Sequence, residues 1–373
     1  MTTKSTGAQE SAEMNLEPQA QLELQEITNP RIRLGLVGNY ADSDETRMLL
    51  TPEACGMLTS YGIGIYMEAG AGVDISFPDE SYAEYGVKIV SRDEALKQPL
   101  VLSFMPLRSK DVKKMVKGSA LLCMMGHDLF EASTIKALMS HHIDTGCLDN
   151  MYSHHDMSIF ANIIDEIDGR AAIMYAQEAL AYLGGGKGVL LAGVAGLNPC
   201  EVLVIGAGTA AISAANAAAA AGASVVLMDN DVSAIQLMKP SLLPMVQTVA
   251  VHPRVLANRV KSADVIITGT TTREFEFPSC LSAQLKDNVY IMDLSETHPS
   301  ISVPRTVAMA LSNPLINFFN EMTIKGSFDA MVATTAGVQE GMVTYKGKLV
   351  DKLIASYSAL PSIDIRVMLS ATN

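Results

Sequence analysis

Apolar positions along this chain fall into short runs that alternate with helical stretches. The first run, Ile32-Arg-Leu-Gly-Leu-Val37, reads as a strand, and a helix is expected over 52–60. A strand over 64–68 leads into the turn Ala69-Gly-Ala-Gly72, and a helical stretch follows at 81–85. Strands are expected near 100–104 and 120–124, then a helix over 128–140 that opens on Asp128 as its cap. Helical periodicity over 165–183 runs through Gly184-Gly-Gly-Lys-Gly188 into a second block, with strands at 202–205, 223–229, 264–269 and 289–292. Beyond Pro304 the chain reads as helical and returns to the first block. The pattern predicts an α/β protein of two Rossmann-like domains with parallel sheets and an interdomain cleft. The expected division is a substrate-type domain over 31–165, a nucleotide-binding domain over 166–299, and a return to the first domain over 300–373.

The composition is consistent with that pattern. The 373 residues suffice for two or three domains with their own cores, and the low aromatic share of 5% suits close helix–sheet packing. A net charge of −13 argues against a nucleic-acid or anionic-membrane partner, which would require clustered Lys and Arg. The longest apolar stretch, over 214–228, is interrupted by Asn216 and Gly222, so no membrane span is expected. The N-terminus lacks the apolar segment of a signal peptide, and a cytoplasmic location is expected. Cys55, Cys123, Cys147, Cys200 and Cys280 are scattered and odd in number, which reads as reduced, buried thiols. Residues 1–30 differ: Glu10, Glu13, Glu17, Glu23 and Glu26 stand against one Lys4, as in a disordered acidic tail.

The densest chemical signal is Glu201-Val-Leu-Val-Ile-Gly-Ala-Gly-Thr-Ala-Ala-Ile-Ser-Ala-Ala-Asn216. An apolar strand turns at Gly206 and enters an Ala-rich helix. Gly206 permits the turn, Gly208 lets backbone approach a pyrophosphate, and Ala211 supplies the third small position. A second strand ends in Asp229, placed to accept hydrogen bonds from an adenosine ribose. The expected cofactor is NAD, held by Gly206, Ala207, Gly208, Thr209, Ala210 and Asp229, with Thr270 beyond the next strand. No Arg near Asp229 is placed to take the extra phosphate of NADP. The pairs His141-His142 and His154-His155 with Asp156 read as solvated loops, and no metal is expected. The 22 Met residues read as core filler, and no nucleophile elbow is evident.

After its tail the chain resembles the alanine dehydrogenase and pyridine nucleotide transhydrogenase family, nearest to the alanine dehydrogenases. Glu45-Thr-Arg-Met-Leu-Leu-Thr-Pro52, Glu68-Ala-Gly-Ala-Gly72 and Glu166-Ile-Asp-Gly-Arg170 carry the resemblance. So do Gly185-Gly-Lys-Gly-Val-Leu-Leu-Ala-Gly-Val-Ala-Gly196, the nucleotide motif and Gly341-Met-Val-Thr-Tyr-Lys-Gly347. The resemblance implies a homo-oligomer that interconverts a small amino acid and its 2-oxo acid with NAD. It also implies that Arg47 holds the substrate carboxylate, as a planar fork can. The family's Lys falls in Val101-Leu-Ser-Phe-Met-Pro106, where this chain has Ser103 or Phe104 and no cation. Its His aligns on Gly126, or on His127 with a one-residue shift. His127 serves either as the acid–base group or merely to help begin a helix. Thr297 stands where the family has an Asp, His298 and Pro299 stand where it has an Asn-Met pair, and the segment before that pair is absent. The opening Pro-Lys-Glu type motif is replaced by Val37-Gly-Asn39.

Two functions of different class follow. One is an NAD-dependent oxidoreductase on a small amino or 2-oxo acid with a degenerate catalytic site, in which His127 or His298 replaces the lost groups. The other is a non-catalytic NAD(H)-binding protein with a sensing, structural or regulatory role. A transhydrogenase subunit would need a membrane partner, which nothing in the sequence supplies.

Overall fold

The computed structural model describes residues 30–38, 40, 43–124, 130–153, 157–269 and 279–370. Its strands are β1 (Ile32–Val37), β2 (Ile63–Glu68), β3 (Lys88–Val90), β4 (Leu100–Ser103), β5 (Ala120–Cys123), β6 (Asp144–Cys147), β7 (Glu201–Ile205), β8 (Ser224–Asp229), β9 (Gln247–Ala250), β10 (Val265–Thr268), β11 (Tyr290–Asp293), β12 (Met342–Tyr345) and β13 (Lys348–Leu349). They form one eight-stranded sheet, in the order β13-β12-β6-β5-β4-β1-β2-β3, and one five-stranded sheet, in the order β11-β10-β7-β8-β9. From its own first strand each sheet runs in the doubly wound order, with switch points between β1 and β4 and between β7 and β10. The protein is thus α/β with two Rossmann-like sheets, as the alternation of runs and helices predicts.

The apolar strands read as continuous runs because helices cover both faces: β4, β5 and β10 are buried at every position. The helix Pro52–Ser60 forms where expected, with Pro52 in its first turn and the Thr51 hydroxyl accepting from the Ala54 N–H at 3.3 Å. The next helix starts later than expected, at Ala132 with Glu131 as its cap residue, and the anticipated cap Asp128 lies outside the described residues. The C-terminal region is not helical throughout. After the long helix Pro304–Lys325 the chain makes a hairpin, β12 to β13, which turns through Lys346 and Gly347 at φ +47° and +78°. β12 pairs antiparallel with β6, so the otherwise parallel first sheet has an antiparallel edge.

Two long helices join the sheets: Ile159–Leu180 leads into the nucleotide block and Pro304–Lys325 leads out of it. The first ends at Leu180, short of the expected 183, because the Gly184–Gly188 run folds back over its last turn. The Gly186 N–H donates to Ala181 O at 3.0 Å, and a Cβ at Gly186 would lie 2.0 Å from Ala179 O. Lys187 then pairs with Asp264 at 2.6 Å, below the nucleotide sheet's first strand. The described thiols Cys55, Cys123, Cys147 and Cys200 are free and buried. Cys123 and Cys147 prove to be register partners on β5 and β6, with sulfurs 3.7 Å apart.

The closest helix contact lies beneath the nucleotide motif. A Cβ at Gly169 would fall 2.1 Å from Ala210 O and 2.8 Å from Ser213 Cβ, so the joining helix touches the helix Thr209–Ala220 backbone to backbone. Gly169→Ala should therefore lower stability by about 2 kcal/mol or more, the scale of core overpacking. Arg170→Ala, on the exposed side of the same helix, should change it by less than about 0.5 kcal/mol. Urea denaturation of both variants checks this, and equal midpoints would contradict the packing.

Candidate active site

The dinucleotide turn is built as its residues require. Gly206 has φ +118°, a conformation closed to other residues, and its N–H bonds to Met228 O at 2.7 Å, fixing the turn across β7 and β8. Gly208 opens the helix Thr209–Ala220, and no side chain among the described residues caps that first turn. The first N–H groups of a helix suit an anion such as a pyrophosphate. Ala207 and Ala211 are buried, and Ala211 meets Gly269 at the end of β10. Thr209 Oγ1 donates to Asn162 Oδ1 on the joining helix at 3.3 Å. Asp229 ends β8 half-buried, with Oδ1 accepting from the Asp231 N–H at 2.7 Å and no protein partner on Oδ2 among the described residues. The structure thus places Gly206, Ala207, Gly208, Thr209 and Ala210 at the carboxyl end of β7, beside the switch point, and Asp229 at the end of the neighbouring β8. Thr270 and His127 lie outside the described residues, as do His154, His155 and Asp156.

The other side of the cleft is arranged around Arg47, which is 3% exposed. Its fork is already engaged by a carboxylate of the same chain. Nε donates to Glu45 Oε1 at 2.8 Å and Nη2 to Glu45 Oε2 at 2.7 Å. Nη1 donates to Ser300 Oγ at 2.8 Å, and Phe104 lies under the guanidinium at 4.4 Å. Of the two candidates for the family's Lys position, Phe104 faces Arg47. Ser103 instead donates to Met105 O at 2.6 Å and sits 3.1 Å from Tyr40 Oη. Burial pushes the Tyr40 phenol up to about 12, so it stays neutral while accepting from the Phe104 N–H.

Beside this group, at the β1–β4 switch point, lies a polar cavity of about 790 Å³ lined in part by Tyr40, Glu45, Glu68, Arg92, Met105 and Asp111. Arg92 bridges Glu68 at 2.8 Å and Asp111 at 3.0 Å. The two carboxylates hold its proton affinity above the usual guanidinium value despite partial burial, which acts the other way.

The acids that surround the candidate His298 were not legible beforehand. The buried carboxylate of Asp168 accepts the Ser300 N–H at 2.7 Å and lies 3.5 Å from His298 Nδ1. Asp165, one turn earlier on the joining helix, has its acid pushed up to about 6, mainly by burial and then by the charge of Asp168. The three-residue spacing of Asp165 and Asp168 was the available signal, since it places both on one helix face. Thr297 turns back onto β11, its N–H donating to Asp293 O at 2.9 Å and its hydroxyl donating to the same oxygen.

Comparison with known proteins accords with this arrangement. Residues 40–163 match the family model "Alanine dehydrogenase/PNT, N-terminal domain" and residues 172–295 match "Alanine dehydrogenase/PNT, C-terminal domain". The chain is 24% identical over 357 residues to alanine dehydrogenase of Mycolicibacterium smegmatis, covering 86% of this chain and 96% of that protein. It is also 24% identical over 356 residues to the Bacillus subtilis alanine dehydrogenase, covering 84% and 91%. Its fold is similar to that of an L-alanine dehydrogenase, with TM-score 0.78 and 20% identity over 87% of this chain and 98% of that one. A transhydrogenase from Sinorhizobium meliloti superposes with TM-score 0.72 at 17% identity, over 85% and 100%. With both lobes matched and the dinucleotide turn in place, the chain belongs to the alanine dehydrogenase/PNT family.

Proposed function

We propose that this protein is an NAD(H)-binding oxidoreductase of the alanine dehydrogenase type, directed at a small amino acid or 2-oxo acid, with a degenerate catalytic set. The observation that carries the reading is the left-handed turn at Gly206 feeding an uncapped helix N-terminus, with Asp229 ending the next strand. When bound, the nicotinamide supplies a hydride donor or acceptor. Gly208 and the first N–H groups of the helix hold the pyrophosphate, and Asp229 the adenosine ribose. A non-catalytic NAD(H)-binding role is the second reading, and it rests on the lack of a cation in Val101-Leu-Ser-Phe-Met-Pro106, where the family has a Lys. Among the described residues no helix is long and apolar enough to cross a membrane. Exposed Tyr182, Leu183, Leu190 and Leu197, beside the nucleotide block, support self-association, and we propose a cytoplasmic homo-oligomer.

Asp229 should favour NAD over NADP. Thermal-shift titrations should show stabilisation by NAD or NADH of about 2.7 kcal/mol at a hundredfold excess over Kd, and little by NADP. Equal stabilisation by NADP would remove the role given to Asp229.

Gly208→Val should abolish nucleotide binding by excluding the pyrophosphate, while circular dichroism shows the fold retained. NADH binding as tight as in the wild type would reduce the motif to a structural turn.

Reduction of pyruvate with ammonia and NADH should be at least about two orders of magnitude slower than in a family member with an intact site, the scale of losing one electrostatic catalytic group. Glu45→Gln should leave the buried guanidinium under-compensated and cost about 3 kcal/mol of stability. It should also strengthen pyruvate binding, because a neutral amide competes less well for the fork. Brisk pyruvate turnover by the wild type would overturn the degenerate-site reading.

A further inference from the structure

We propose that His298, held beside Asp165 and Asp168 at the nicotinamide end of the cleft, makes nucleotide preference depend on pH, so that NADH is increasingly retained over NAD⁺ as acidity rises. The inference rests on the nucleotide-binding reading and adds residues that distinguish the two oxidation states.

The placement follows from topology. Asp229 marks the adenosine half of the crevice over β8, so a dinucleotide crossing the β7–β10 switch point lays its nicotinamide half toward β10 and β11. His298 follows closely after the end of β11 and is 40% exposed there. The joining helix runs alongside. Its Asn162 touches Thr209 of the dinucleotide turn, Asp165 lies about one turn further along, and Asp168 next reaches the 298–300 segment. Ser300 then connects to Arg47. The imidazole and two carboxylates therefore lie between the dinucleotide turn and the substrate-side arginine.

The charge arithmetic gives the sign. The oxidised nicotinamide ring is a cation and the reduced ring is neutral, so any charge added nearby acts on NAD⁺ and not on NADH. At mildly alkaline pH the two carboxylates give the set two negative charges, which favour the cationic ring. A proton taken up by the imidazole adds a positive charge to the set. Asp165, whose acid is pushed up to about 6, loses its charge as pH falls through that value. Both changes make the site less negative and weaken NAD⁺ selectively. The other charges facing the set do not reverse this. Arg47 and Glu45 form an ion pair on the substrate side, while Asp293 and Glu296 on the histidine's own segment are exposed and screened. Ring and protein charges separated by about 12 Å at an effective dielectric of about 20 couple by roughly tenfold in affinity.

The test is the ratio of Kd for NAD⁺ to Kd for NADH, measured by calorimetry from pH 8 to about 5.5, the range over which histidines titrate. Wild type should show the ratio rising roughly tenfold toward acid. His298→Gln and Asp165→Asn should each flatten part of the rise, and the double variant should be flat. By linkage, wild type near about pH 6, where Asp165 titrates, should release more protons on binding NAD⁺ than NADH, read from calorimetry in buffers of different ionisation enthalpy. This second measurement needs no variant. A constant ratio with equal proton release, or a double variant that keeps the wild-type slope, overturns the inference while the nucleotide reading stands. Failure of both nucleotides to bind at every pH overturns the nucleotide reading, and the inference with it.

Discussion

A guanidinium buried to 3% exposure must find acceptors for its donors or cost several kcal/mol, and Arg47 finds them in Glu45 and Ser300. The rest of the cleft is fastened to that solution. Ser300 lies in the segment returning from the nucleotide sheet, and its N–H is bound by Asp168 of the helix that leads into that sheet. Thr46 adds a bond to Ile301 O at 2.7 Å. Both crossings between the two lobes therefore meet at Ser300, which Arg47 holds from the substrate side.

That dual use bears on chemistry. A carboxylate tethered two residues from the fork competes with free substrate at a high effective concentration, as intramolecular groups do. Phe104 covers one face of the same guanidinium and brings no charge of its own. A substrate acid would have to displace Glu45 and would find no second cation at the end of β4. The scaffold of the family is retained, and the end of β4 carries Ser103 and Phe104 without a cation. On the nucleotide side the turn, the helix N-terminus and the terminal acid stand together.

The first lobe carries a second charged system, Glu68–Arg92–Asp111, at the wall of the polar cavity. Glu68 also accepts the Gly38 N–H at 3.2 Å, which ties the end of β2 to the loop after β1. Such partly buried networks stabilise chiefly when every partner is satisfied, and here one arginine joins two acids. Their effect is to set the shape of the switch-point crevice.

The sequence by itself determined what depends on neighbours in the chain. Continuous apolar runs specified the strands, Gly206 and Gly208 specified the turn, and Asp229 followed from its position at a strand end. The Gly184–Gly188 run was visible as a motif, though its role in stopping a helix was not. The strands β3, β6 and β9 carry polar residues in place of a continuous apolar run, and the antiparallel edge formed by β12 depends on a partner nearly two hundred residues away. The site's electrostatics were decided only by the tertiary structure. Arg47 to Ser300 spans 253 positions and Ser300 to Asp168 spans 132, and no local pattern encodes which distant acceptor a buried donor will take. Asp168 and His298 were each plain in the sequence, but they face one another only because two crossings of the chain converge at Ser300.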